Sequence, residues 1–297
     1  VRYGKPPETE VSANLMKILG VSSLKELRAL PASKLVLTAA QFEGGGFGGA
    51  SIDGQIIPGD PVPLFAAGKQ AKVPFMIGTN SWDSSLLAPG QPTLAEVQKM
   101  FNIDPKTVEK LYGNLKDTCV LPSDILGDIV FRASTKLLAD SMNGIAPGYA
   151  YYFDYLTKNI RAAYPGTPHT FDVPYVFGSY PLMPQAPKTM ESSANRCAII
   201  EKANIDMKKS IWAKYWFPIA DKDDPQDKAI SEKMSGSWTA FAKTGNPNVE
   251  GQANWPIYNL KDDVMRHYSV DSQTITGMLK ERVDFQMPNL KKLFELK

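Results

Sequence analysis

The sequence predicts an α/β protein with a mostly parallel sheet flanked by helices, and three observations predict it. Two compact apolar runs read as buried strands, and long stretches of helical periodicity separate them. The composition is that of an ordinary globular chain. Of 297 residues, 43% are hydrophobic and 22% charged, enough for one large domain or two small ones.

Taken in order, residues 10–40 read as short amphipathic helices. Val11, Leu15, Ile18 and Leu19 share a face, Gly20 is a stop, and Ser22-Ser23 can cap the next helix. The run Gly44-Gly45-Gly46-Phe47-Gly48-Gly49 must be loop. Next, Lys72-Val73-Pro74-Phe75-Met76-Ile77-Gly78 is the first strand, apolar throughout and closed by glycine. Residues 93–146 are helical again, with Val97, Met100, Phe101, Val108 and Leu111 at helical spacing. The aromatic run Tyr149-Ala150-Tyr151-Tyr152-Phe153-Asp154-Tyr155-Leu156 is the second strand. After a proline- and glycine-bounded loop, residues 197–217 and Ser231–Lys243 read as helices. Two strong strands are few for such a fold, so part of the sheet is expected to lie outside this chain.

Charge narrows the function classes. With 33 basic and 31 acidic side chains the net charge is +2, which gives no excess for a nucleic-acid surface. No apolar run approaches the roughly 20 residues that cross a bilayer. The opening residues Val1–Pro7 are polar rather than signal-like, so the sequence assigns no localisation. Cys119 and Cys197 can pair or stand as two thiols. Neither has metal or redox spacing, and buried thiols are the expectation. No metal and no cofactor are expected.

Only two histidines occur, His169 and His267, so imidazole chemistry must use one of them. His169 lies in the loop after the aromatic strand. Ligands of open α/β sheets gather at that end of a strand, where histidine suits a general base. Asp83 follows the first strand and can orient an imidazole. Alone it reads equally as a helix N-cap. Together, an acid after one strand and a histidine after a later one keep the order Ser, Asp/Glu, His of α/β-hydrolases.

Three blocks then resemble the cholinesterase-like, type-B carboxylesterases. They are Ile52-Asp53-Gly54-Gln55-Ile56-Ile57-Pro58 with Val73–Asn80, Pro168-His169 with Pro174-Tyr175-Val176-Phe177-Gly178, and Trp238–Asn248 with Trp255-Pro256-Ile257-Tyr258. The resemblance implies that residues 1–297 form the C-terminal part of a single α/β-hydrolase domain. It implies Asp83 as the triad acid, where the family more often has glutamate, and His169 as the base. Trp82, Phe171, Tyr175 and Phe177 become candidates for substrate contact, beside the plainer reading of aromatics as packing. His267 matches no catalytic block and is expected to be structural, in a late strand. The glycine run 44–49 mimics an oxyanion loop but stands on the wrong side of the nucleophile's place, so a loop near the site mouth is expected.

The family's nucleophile sits in Gly-x-Ser-x-Gly, and this sequence has no such pentapeptide. The expectation is therefore a serine carboxylesterase acting on a small-molecule ester, with the serine on a partner, an N-terminal part of the same enzyme. Without it the chain should be inactive, by roughly six orders of magnitude in turnover, and should depend on that partner for stability. The rival reading is a catalytically dead cholinesterase-like domain used for adhesion or binding.

Overall fold

The structure, a computed structural model, describes residues 8–35, 52, 54–90, 92–113, 119–186, 197–198, 201 and 220–293. The glycine run 44–49 and most of the helix expected at 197–217 lie outside these residues. The chain divides into two compact units, Val1–Gln70 and Ala71–Lys297.

The first unit contains α1 (Glu8–Leu19), α2 (Leu24–Ala29) and α3 (Pro61–Ala66). Gly20 ends α1 with φ 68°, a left-handed conformation that suits glycine. Ser23 caps α2 by accepting the Glu26 amide hydrogen, and the Glu26 carboxylate accepts in turn from the Ser22 amide. Asp60 and Pro61 start α3 in the same way, through the Val62 amide.

In the second unit, a long crossover joins β1 (Phe75–Asn80) to β2 (Gly148–Phe153). It holds α4 (Leu94–Phe101), α5 (Pro105–Tyr112), α6 (Leu121–Gly127), a π turn (Asp128–Arg132) and α7 (Ala133–Met142). Then follow α8 (Val173–Val176), α9 (Pro225–Thr244), β3 (Val264–Tyr268), β4 (Gln273–Thr276) and α10 (Lys280–Leu293). The sheet order is β1-β2-β3-β4, with β1, β2 and β3 parallel and β4 antiparallel to β3. Among the described residues β1 pairs only with β2, so its other edge carries no strand. The sequence showed two of the four strands clearly. The two late ones are short, half-polar and too weakly patterned to stand out.

Alternation gives the sheet two faces. Met76, Tyr149, Tyr151, Phe153 and Tyr268 cluster with Trp238 and Phe241 of α9 and with Trp255, and edge-on ring contacts such as Tyr151–Trp238 at 5.0 Å lie within the cluster. On the opposite face Ile77, Ala150 and Met265 pack with Ala139 of α7 and Tyr258. Gly78 is opposite Tyr151 in register, and a Cβ there would lie 2.3 Å from the tyrosine ring. Only glycine fits.

The crossover has its own core, where Val97, Phe101, Val108, Tyr112, Ile125 and Ile129 are buried together. Cys119 and Cys197 are disulfide-bonded with Cα atoms 5.6 Å apart, which corrects the expectation of two thiols. Residues 78 apart in sequence gave no signal that their Cα atoms would come within bonding reach.

Candidate active site

The site is built where two parallel strands end. After β1 the chain turns through Ser81-Trp82 into a 3-10 helix beginning at Asp83. After β2 it loops back through residues 164–172. Backbone contacts join the two: the Trp82 amide donates to the Thr167 carbonyl at 2.9 Å, and Trp82 and Pro168 form a parallel bridge. The Ser81 hydroxyl accepts from the Thr167 amide at 2.7 Å. Gly166 permits this approach, because a Cβ would stand 2.7 Å from the Ser81 oxygen.

These contacts bring Asp83 and His169 together. His169 Nδ1 lies 2.7 Å from Asp83 Oδ1. The other carboxylate oxygen accepts from the Thr79 hydroxyl at 2.5 Å and the Asn80 amide at 2.6 Å. The Asp83 side chain is almost fully buried, and these three groups surround its carboxylate. An ionised carboxylate can only accept, so Nδ1 carries the hydrogen and Nε2 presents its lone pair on the ring's far edge. The His169 side chain keeps 28% of its surface exposed, against 9% for Asp83. That arrangement can take a proton from a group reaching Nε2.

The histidine loop is held on several sides. The His169 amide donates to the Ser85 hydroxyl at 2.8 Å. Thr170 adopts φ 70°, uncommon for a β-branched residue, and its hydroxyl donates to the His169 carbonyl. Asn80 donates to the Pro168 carbonyl at 2.8 Å and to Asp172 at 3.2 Å, and Tyr151 donates to Asp172 from below. Burial pushes the Asp172 carboxyl up from its ordinary value. The Asn80 hydrogen bond opposes that rise, the nearby Asp83 charge adds to it, and the Tyr151 bond opposes it again. Phe131 of the π turn lies against the imidazole, ring centres 5.7 Å apart.

The aromatic candidates divide. Trp82, Phe171 and Tyr175 are buried. Trp82 donates to Ser123 at 2.8 Å and meets Tyr164 edge-on, and Tyr175 donates to Asp227 at 2.6 Å. Phe177 is 77% exposed at the end of α8. His267 lies in β3, 3.5 Å from Asp154 and away from the Asp83 pair. Phe131 and Arg132, which reach the site from the crossover, had no sequence signal, since helical periodicity alone cannot show which turn meets a loop.

Known proteins are similar to this chain in sequence and fold. The family profile described as the Carboxylesterase family matches residues 205–286. The acylcarnitine hydrolase of Rattus norvegicus is 24% identical over 73% of this chain and 37% of its own length. The pyrethroid hydrolase Ces2a of Mus musculus is 24% identical over 84% and 43%. This chain is similar to the carboxylesterases. Solved esterases carry the same fold: a thermophilic PNB esterase aligns with TM-score 0.61 and 20% identity over 93% of this chain and 53% of its own. A Geobacillus stearothermophilus carboxylesterase aligns at 0.62 and 19%, over 92% and 54%. The carboxylesterase-like chain therefore has the α/β-hydrolase fold, and it spans about two-fifths of the length of the curated relatives it matches.

Proposed function

We propose that this chain supplies the acid and the general base of a serine carboxylesterase, with the nucleophilic serine on a segment outside this sequence. The observation that carries the reading is the 2.7 Å contact between His169 Nδ1 and buried Asp83, with the His169 side chain 28% exposed. The carboxylesterase relatives support ester hydrolysis as the reaction class.

In this reading the serine hydroxyl attacks the carbonyl of a small-molecule carboxylic ester while His169 Nε2 takes its proton. The protonated imidazole, steadied by Asp83, then gives that proton to the departing alkoxide, leaving an acyl-enzyme. Water is deprotonated by the same Nε2, attacks the acyl carbonyl, and the serine leaves with the proton returned to it. Asp83 holds the tautomer throughout and does not itself take up the proton.

The test is hydrolysis of p-nitrophenyl butyrate by this chain assembled with the serine-bearing segment. His169→Ala should lower kcat by about 10^4-fold or more. A folded His169→Ala assembly with wild-type turnover would overturn the reading of His169 as the base, and a wild-type assembly with no hydrolysis would favour a binding domain.

A further inference from the structure

The crossover between the strands contains one irregular turn, and that turn reaches the site. Asp128–Arg132 is a π turn set between α6 and α7. Such turns widen a helix by one residue and recur at functional sites because they redirect side chains that a regular helix would aim elsewhere. Here two adjacent side chains are redirected. Phe131 lies against the His169 ring, and Arg132 Nη2 donates to the Ser81 carbonyl at 2.5 Å. Ser81 is the hinge of the acid-bearing turn. Its amide donates to the Phe153 carbonyl, its hydroxyl holds the Thr167 amide, and Asp83 stands two residues further on.

Arg132 is itself rigidly held. Its Nη1 donates to Asp128 at 2.5 Å and to Asp124 at 2.9 Å, and its guanidinium stacks toward the Tyr152 ring at 5.8 Å. Arg282 of α10 pairs with the other oxygens of both carboxylates, and Tyr112 and Gln286 close the network. Two arginines balance two aspartates, so the buried group is neutral as a whole. What distinguishes the two arginines is the Ser81 carbonyl, which Arg132 reaches and Arg282 does not.

We propose that the Asp128–Arg132 π turn is the positioning platform of the Asp83–His169 pair. Arg132 fixes the turn that carries the acid, and Phe131 fixes the imidazole. Neither touches a reacting atom. This rests on the reading of Asp83 and His169 as the working pair, and it assigns that pair's geometry to a helix turn remote in sequence from both. Arginine is required rather than lysine, because a single ammonium cannot span two carboxylates and a carbonyl as the planar fork does.

The test uses the whole chain, labelled with nitrogen-15 histidine and purified with whatever segment accompanies it. Two histidines give two imidazole signals, and a His267→Asn variant tells them apart. The readout is solvent exchange of the His169 Nδ1 hydrogen that meets Asp83. Arg132→Lys should speed that exchange by about tenfold or more, whereas Arg282→Lys, which loosens the same charge network without touching Ser81, should leave it near wild type. Phe131→Leu leaves every charge in place and should shift the His169 ring signals but not those of His267, and it decides the matter if Arg132→Lys does not fold. Unchanged His169 signals in folded variants, or equal exchange in the two arginine variants, would overturn the proposal. Hydrolysis is measured separately on the same assemblies. An inactive wild type with Arg132-dependent exchange would sink the esterase reading and leave the platform standing.

Discussion

At the scale of single residues, the proposed acid–base pair is a hydrogen-bonded constellation, with a separable task proposed for each group. Asp83→Asn keeps the shape but replaces an acceptor-only carboxylate by an amide, which favours the wrong imidazole tautomer. It should lower kcat in the assembled enzyme by about 10^4-fold, while Asp83→Glu should recover part of the loss. Steady-state kinetics on the two variants checks this. Asp172 supplies a pH prediction. Its carboxyl is pushed up by burial, so the folded chain holds the proton more tightly than the unfolded one. Its favourable contribution is complete below the unfolded value of 3.8 and is lost as pH rises through the higher folded value. Asp172→Asn should therefore gain stability relative to wild type on going from acidic to neutral buffer, measured by urea unfolding. A difference that does not change with pH contradicts this. The closeness of Asp83 and His169 was legible in the sequence because only two histidines occur and both residues follow strand ends. Thr79, Asn80 and Ser81 were visible only as neighbours, since backbone amides and hydroxyls hold no pattern that a sequence displays.

At the scale of elements, close approaches decide which residues are tolerated. Gly78→Ala would drive a methyl into the Tyr151 ring, and overpacking of that kind costs about 1–3 kcal/mol. Thermal or urea unfolding of the variant checks it, and a neutral result would mean that β1 and β2 can part without cost. The disulfide joins Cys119, packed beside the Trp82 cluster, to Cys197, 78 residues on. By loop-closure entropy it should stabilise the fold by about 4 kcal/mol, so Cys119→Ala should unfold at markedly lower urea. An unchanged midpoint contradicts the bond's contribution. The strand at 75–80 was readable from its apolar run Phe75-Met76-Ile77 closed by glycine, and that at 148–153 from its aromatic run, buried almost throughout. Of the late pair only a strand around His267 was expected, and it is β3; β4 gave no signal, as pairing at the sheet's end lets polar residues such as Gln273 and Thr274 enter. The π turn was equally invisible. Its sequence fits a regular helix, and only packing against the strand ends favours the widened turn.

At the scale of the whole molecule, three features converge on one account. β1 presents an edge without a strand among the described residues, the His169 side chain is partly exposed, and no Gly-x-Ser-x-Gly occurs in the sequence. A further parallel strand beside β1, ending in a serine near Nε2, would complete both the sheet and the site. The most direct measurement is labelling of the purified preparation with a fluorophosphonate, followed by peptide mapping. The account predicts label on a serine outside this sequence, lost when His169 is changed to alanine. Label on a serine of this chain, or undiminished labelling of a folded His169→Ala preparation, would contradict it.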